Sequence, residues 1–124
     1  MSLFISKTDR GCMIIGVPSA VETLALKHFT LFSAKWLENN VAGYIFDFNG
    51  VTAFDKQGYA LFKKFKQDAQ ASKRPVFSTN VSKEMKTLFI KDGVDLLFNI
   101  CESNSSLVHS SADQIVRIRR KSCL

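Results

Sequence analysis

The sequence lacks any long uninterrupted apolar run. No stretch of its 124 residues approaches the roughly 18 apolar residues that a helix needs to cross a bilayer. The short apolar segment 12–17 also lacks the flanks of a signal peptide. We therefore predict a cytoplasmic chain that is not embedded in a membrane. The cysteines Cys12, Cys101 and Cys123 form no Cys-x-x-Cys pair, so they predict neither a disulfide framework nor a metal site.

Catalytic motifs are also missing. The sequence contains no G-x-x-x-x-G-K-[ST] phosphate loop, no G-x-G-x-x-G fingerprint and no H-E-x-x-H zinc motif. Its two histidines, His28 and His109, fall in a predicted helix and in the C-terminal tail, and no nucleophile–base pair can be assigned to either. The sequence therefore predicts a protein that is not an enzyme and that needs no cofactor.

Acidic residues are scarcer than basic ones. Seventeen Lys and Arg residues outnumber eleven Asp and Glu residues, which gives a formal net charge of +6. The densest basic segment, 117–121, has no interleaved aromatic residues of the kind that stack on nucleic-acid bases. Because net charge alone reports on solubility and encounter, we predict no nucleic-acid partner.

Apolar residues, in contrast, are plentiful. They make up 46% of the chain, and eleven residues are Phe, so we expect one compact domain with a substantial core. No repeat, low-complexity tract or linker interrupts the chain. We assign residues 1–107 to the domain and treat 108–124 as a C-terminal helix and basic tail that belong to it.

Turn residues and apolar periodicity divide the chain into alternating strands and helices. Two opening strands are separated by the turn Asp9-Arg10-Gly11, which predicts a hairpin. The order β-β-α-β-α-β-α-β-α, with right-handed crossovers, then predicts an α/β fold with helices against a mostly parallel or mixed sheet. The predicted strands are 3–6, 11–17, 44–48, 75–78 and 96–100, and the predicted helices are 21–39, 55–73, a short one starting at Asn80 or Ser82, and 110–119.

The most informative segment is 47–61, DFNGVTAFDKQGYAL, in which a buried strand ends and a helix begins. Functional loops collect at this edge of open α/β sheets. Asp55 can accept hydrogen bonds from the backbone N–H groups of the first helical turn. Gly58 stands in that turn, where a better helix former is normally preferred, which suggests that something approaches the backbone closely. Plain capping and packing would explain both residues equally well.

This segment resembles the signature of STAS domains. In that signature a buried strand ending in Asp is followed by a helix that starts Asp-Ser-Ser/Thr-Gly-Leu. Residues 44–48 and Val51 match the strand and the apolar residue after it, and Phe54, Asp55 and Gly58 match the helix start.

The resemblance continues along the chain and covers residues 3–107. Residues 73–76 and 81–89 match the next strand and helix, and DGVDLLFNI at 92–100 is similar to the family's Gly-Leu-x-x-Leu-Phe-x-Ile stretch. The resemblance implies a STAS-like mixed sheet of four to five strands with helices packed mainly on one face. It also implies a role, because bacterial members act as anti-sigma-factor antagonists. They bind a kinase that doubles as the anti-sigma factor, and phosphorylation of a hydroxyl between the signature Asp and Gly breaks the complex.

The chain departs from the family at the signature hydroxyl. Lys56 and Gln57 stand between Asp55 and Gly58, and neither can accept a phosphate. We therefore expect a non-catalytic protein-binding switch, active in transcription regulation in bacteria, that is not phosphorylated at this site. An accessory subunit that docks on the ATPase of a lipid or solute transporter is the alternative. Lys56 is either part of an altered switch or an inconsequential substitution at an exposed position.

The expected partner is thus a protein, either an anti-sigma factor or serine kinase, or a transporter ATPase. A homodimer is left open. The predicted binding face combines the helix start with the loop 18–22 and with partly exposed aromatic residues, which often anchor interfaces. Its members are Asp55, Lys56, Gln57, Gly58, Tyr59, Phe62 and Asn80.

Overall fold

The computed structural model of the protein describes residues 3–101, so the domain boundary at 107 and the helix expected at 110–119 lie outside the described residues. In chain order, the elements are β1 (Ile5–Asp9), β2 (Cys12–Gly16), β3 (Ala20–Val21), α1 (Thr23–Glu38), β4 (Tyr44–Asp47), β5 (Ala53–Phe54), α2 (Gln57–Ala71), β6 (Val76–Thr79), α3 (Lys83–Lys91) and α4 (Asp95–Phe98).

A four-stranded mixed sheet with the order β1-β2-β4-β6 forms the centre of the fold. The predicted hairpin supplies its antiparallel edge, and Arg10 and Gly11 form the turn with positive φ angles of 51° and 86°. Such left-handed pairs suit two-residue hairpin turns, because their twist matches that of the strands. β4 pairs in parallel with both β2 and β6. β3 and β5 form a second, two-stranded parallel sheet that was not predicted from the sequence.

One face of the large sheet carries the main core. Side chains alternate along β4, so Tyr44 and Phe46 belong to this core, while Ile45 joins a smaller cluster with Cys12 and Phe77. Helices α1, α2, α3 and α4 each contribute buried side chains to the main core. The prediction of a mixed sheet with helices mainly on one face is therefore confirmed.

The C-terminal end of α1 is held by Arg74, which lies between α2 and β6. The Arg74 guanidinium donates hydrogen bonds to the carbonyl oxygens of Leu37 (2.9 Å) and Asn39 (2.8 Å) and to the Tyr44 hydroxyl (2.6 Å). The Tyr44 hydroxyl in turn donates to the carbonyl oxygen of Trp36 at 2.8 Å. These bonds satisfy carbonyl groups that a helix end leaves without intrahelical partners.

The prediction of a strand at 96–100 is wrong. That segment is mostly the short helix α4, and the sheet continues there only as a single parallel bridge between Ser78 and Ile100. A short apolar run does not distinguish a strand from a buried helical turn. Here the Phe98 ring stacks on the Phe89 ring of α3 at 4.1 Å. Asn99 then adopts φ 48° and ends the helix.

The structure also fixes where two of the predicted helices begin. The first helix begins at Thr23 rather than at 21, because Val21 pairs with Phe54 in the small sheet. Of the two candidates for the start of α3, Ser82 is the cap, since its side-chain oxygen accepts a hydrogen bond from the Met85 backbone N–H at 3.1 Å.

Candidate functional site

The chain enters α2 at Asp55, directly after the small parallel sheet. The Asp55 backbone N–H donates to the Val21 carbonyl oxygen at 2.8 Å, which holds this position against β3. Its carboxylate accepts a hydrogen bond from the Gln57 backbone N–H at 2.9 Å. Asp55 thus accepts the expected capping hydrogen bond, although it stands one residue before the N-cap position, Lys56, whose own side chain makes no such bond. Helix α2 accordingly spans residues 57–71 rather than the predicted 55–73.

Gly58 is required by packing inside the protein. A side-chain Cβ at this position would lie 2.7 Å from Cε1 of Phe54 and 3.1 Å from Cδ2 of Leu26. Real Cβ atoms essentially never approach a neighbour as closely as the first distance. The close approach expected from the sequence is thus made by the core itself.

A hydrogen-bonded cluster joins the start of α2 to the end of α3. The Tyr59 hydroxyl donates to Oδ2 of Asp92 at 2.7 Å, and Nζ of Lys56 lies 3.8 Å from Oδ1 of the same carboxylate. The Asp92 side chain is only 10% exposed, whereas that of Lys56 is 78% exposed. Burial, together with the hydrogen bond to Asp92 and its negative charge, raises the pKa of Tyr59 above its usual value.

Asn80 directly follows β6, the strand that pairs with β4. Its side-chain amide donates to Oδ1 of Asp47 at 3.1 Å, and the same oxygen accepts the Asn49 backbone N–H at 3.0 Å. Asn80 itself has φ 57°, a left-handed conformation that Asn tolerates better than most residues. The structure therefore joins Asn80 to the loop after β4, and this bond links the carboxyl ends of β4 and β6.

The exposed part of the candidate face is smaller than predicted. Lys56 and Gln57 are exposed, and Asp55, Tyr59 and Asn80 are partly buried. Gly58 and Phe62 are buried.

The expectation that Phe62 lies on the surface is wrong, because its side chain is only 4% exposed. Its ring stacks on Phe29 at 4.9 Å and packs against Phe46 at 4.8 Å. Phe62 therefore belongs to the core between the sheet and the helices.

Asp92 is the site residue that sequence reasoning missed. The sequence placed Asp92 in the family-like stretch 92–100, and it lies 33 residues from Tyr59 along the chain. Only the packing of α3 against α2 brings the carboxylate to the Tyr59 hydroxyl. The sole sequence signal was an acid at a helix end, where the helix dipole disfavours a negative charge.

Residues 3–101 contain no group of three or more His, Cys, Asp or Glu side chains placed to hold a metal ion. Within the same range, no helix combines the length and apolar character needed to cross a membrane.

The fold matches solved structures of STAS proteins. The anti-sigma-factor antagonist SpoIIAA of Bacillus, in its phosphorylated form, superposes with a TM-score of 0.64 at 16% identity, over 94% of this chain and 99% of that chain. An anti-sigma-factor antagonist (STAS) domain protein from Planctomyces limnophilus matches with a TM-score of 0.70 at 13% identity, over 87% of this chain and 95% of that chain. The protein therefore has a STAS fold.

The same fold also forms one part of a much longer transport protein. The murine anion transporter Slc26a9 matches with a TM-score of 0.58 at 13% identity, over 92% of this chain but only 18% of that chain. No protein-family model and no curated protein sequence matches the chain.

Replacing Gly58 with alanine tests the packing at the helix start. We expect Gly58→Ala to lower the free energy of unfolding by about 1–2 kcal/mol, because the clash with the Phe54 ring outweighs the gain in helix propensity. Urea unfolding of the two proteins measures the difference. Gln57→Ala, one residue away and exposed, is the matched control and should change stability by less than about 0.5 kcal/mol. Equal or higher stability of Gly58→Ala would contradict the packing account.

The raised pKa of Tyr59 predicts a specific loss of stability in alkali. The unfolded chain releases the Tyr59 proton near pH 10, whereas the folded protein retains it. The stability that the folded state gains from the protonated hydroxyl is thus complete below about pH 10 and is lost as the pH rises further.

Tyr59→Phe removes this titration. The stability difference between wild type and Tyr59→Phe should be constant up to about pH 9 and should shrink between about pH 10 and 11 in urea unfolding experiments. The pKa of Tyr44 is also raised, chiefly by burial and against the lowering effect of Arg74, so the variant retains part of the alkaline decline. Parallel stability curves for the two proteins across this range would rule out the assigned role of Tyr59.

Proposed function

We propose that the protein is a non-catalytic protein-binding domain of the anti-sigma-factor-antagonist kind. Its binding surface is the start of α2, where Lys56 and Gln57 are exposed beside the partly buried Asp55 and Tyr59. The observation that carries the proposal is this exposed pair, held in a fixed position between the Asp55 cap and the buried Gly58. We place the protein in the bacterial cytoplasm, with an anti-sigma factor or a related serine kinase as its partner.

Phosphorylation at the signature position does not control this surface in our proposal. A phosphate would add a charge of about −1.5 to −2 at the start of a helix. Lys56 and Gln57 carry no hydroxyl that could accept it, and Lys56 supplies a positive charge instead. The surface therefore stays in one charge state.

Lys56 remains able to bind an acidic partner. Its ion pair with Asp92 spans 3.8 Å, and the lysine side chain is largely exposed. Such exposed pairs contribute only about 0–1 kcal/mol, so a partner carboxylate can replace Asp92 at little cost. Asp92 would still keep its hydrogen bond from Tyr59.

A transport role is the second candidate. The same fold occupies part of the anion transporter Slc26a9, and a docking subunit has no need of a phosphate switch. In this version the protein would be an accessory subunit on the ATPase of a lipid or solute transporter. The exposed surface at the start of α2 would serve as the docking site in either case.

Affinity capture from the native cell tests both candidates. Three baits are compared: the wild type, a Lys56→Glu/Gln57→Ala variant, and a Ser6→Ala/Lys7→Glu variant on the exposed β1 strand as a charge-matched control. The account predicts that the wild type and the control retain one specific partner and that the first variant loses at least about nine-tenths of it. Equal recovery on all three baits, or no specific partner, would contradict the assigned surface.

The identity of the captured protein decides between the candidates. A kinase-like anti-sigma factor supports the first, and a transporter ATPase supports the second. A captured kinase should phosphorylate a Lys56→Ser variant at the new serine and leave the wild type unmodified at positions 56 and 57. Phosphorylation that does not differ between the two proteins would show that Lys56 is incidental.

A further inference from the structure

A groove of about 480 Å³ runs beside the candidate site. One wall is the outer face of α2, and the other is the segment that leads from α3 into α4. The α2 wall consists of Tyr59, Ala60, Lys63 and Lys66. The opposite wall consists of Gly93, Val94, Leu96 and Leu97.

The opposite wall is apolar, and one of its side chains is unusually exposed. The Leu96 side chain is 85% exposed, the highest value among the exposed large hydrophobic residues of the described chain. Val94 and Leu97 are partly buried against the core beneath it. Exposed apolar side chains lining a concave surface commonly mark a binding site.

The charged side chains of the groove are all basic. Lys63 and Lys66 stand on the α2 wall, and Nζ of Lys66 donates to the Leu96 carbonyl oxygen at 3.2 Å. No carboxylate is among the residues that line this groove. The nearest acid at its Tyr59 end, Asp92, already accepts the Tyr59 hydrogen bond and pairs with Lys56.

We propose that this groove binds an acidic amphipathic segment of the protein partner. The apolar side chains of that segment pack on Leu96 and Leu97, and its carboxylates face Lys63 and Lys66. The inference rests on the proposed function, because the Tyr59–Asp92–Lys56 cluster makes the groove continuous with the surface at the start of α2.

Charge argues against two other occupants of the groove, the protein's own C-terminal segment and a second copy of the chain. The C-terminal segment 102–124 carries Arg117, Arg119, Arg120 and Lys121 against only Glu102 and Asp113. A second copy of the chain brings a net charge of +6. Like charges in a groove lined by lysines oppose both, whereas an acidic segment is attracted.

A synthetic peptide probe tests the groove in the full-length protein. The probe is a fluorescent helix-forming peptide of about 18 residues with leucines on one face and glutamates beside them. A scrambled peptide of the same composition lacks the apolar face. Fluorescence anisotropy then measures Kd for each peptide in low and high salt.

Three variants locate the binding site. Lys63→Glu/Lys66→Glu reverses the charge of the groove, Leu96→Ser removes its most exposed apolar side chain, and Lys7→Glu/Lys27→Glu makes the same charge change on β1 and α1. We expect the groove charge reversal to weaken binding about tenfold or more and Leu96→Ser to weaken it several-fold. The remote pair should change Kd less than about twofold, and added salt should weaken wild-type binding. Thermal unfolding confirms that each variant is folded, and Lys63→Glu alone serves if Lys66→Glu disturbs α4.

Several outcomes would overturn the inference. Equal binding of the scrambled peptide, or equal effects of the groove pair and the remote pair, would reduce the interaction to net charge. Groove-dependent binding to vesicles of phosphatidylglycerol and phosphatidylcholine without binding to the peptide would assign the groove to lipid. Lys56 and Gln57 are unchanged in all these variants. Specific capture of a partner together with failed peptide binding therefore overturns the groove and leaves the proposed function standing.

Discussion

The ring of Phe54 lies where any residue other than glycine at position 58 would place its side chain, and the rest of the site depends on this contact. The same ring stacks on Tyr59 at 5.3 Å and meets Phe89 and Phe98 edge-on at 5.6 and 5.5 Å. The Phe54 ring thus contacts the first turn of α2, the α3 helix and the α4 helix, and it holds the three together. Aromatic pairs in such geometries contribute about 0.5–1.5 kcal/mol beyond their buried area.

Rigid placement of α2 is consistent with the proposal of a binding surface that needs no covalent switch. The Tyr59 ring stacks on Phe54, and its hydroxyl donates a hydrogen bond to Asp92. This bond holds the Asp92 carboxylate near Lys56. The lysines of α2 then face the apolar wall formed by residues 93–97, which includes the first residues of α4. A binding surface that is already formed in the free protein avoids the ordering cost that a flexible one incurs.

The sequence predicted most of the fold, because its signals were local. The hairpin turn, the helix cap at Asp55 and the buried strand at 44–48 each follow from residues close together in the chain. Features set by distant contacts escaped prediction. Residues 96–98 became helical because Phe98 stacks on Phe89, and Asp92 joined the site only through the packing of α3. Phe62 was predicted to lie on the binding face, but its packing against rings from α1 and β4 buries it.

Amide hydrogen exchange of the free protein tests most directly whether the surface is preformed. The N–H groups of Gly58 and Tyr59 donate to the carbonyl oxygens of Asp55 and Lys56 at 2.8 and 3.1 Å. The account predicts that both amides exchange within about tenfold of the rate of Phe65 in the middle of α2, although first turns of helices ordinarily fray. Exchange several orders of magnitude faster, at the rate of a mobile loop, would contradict it.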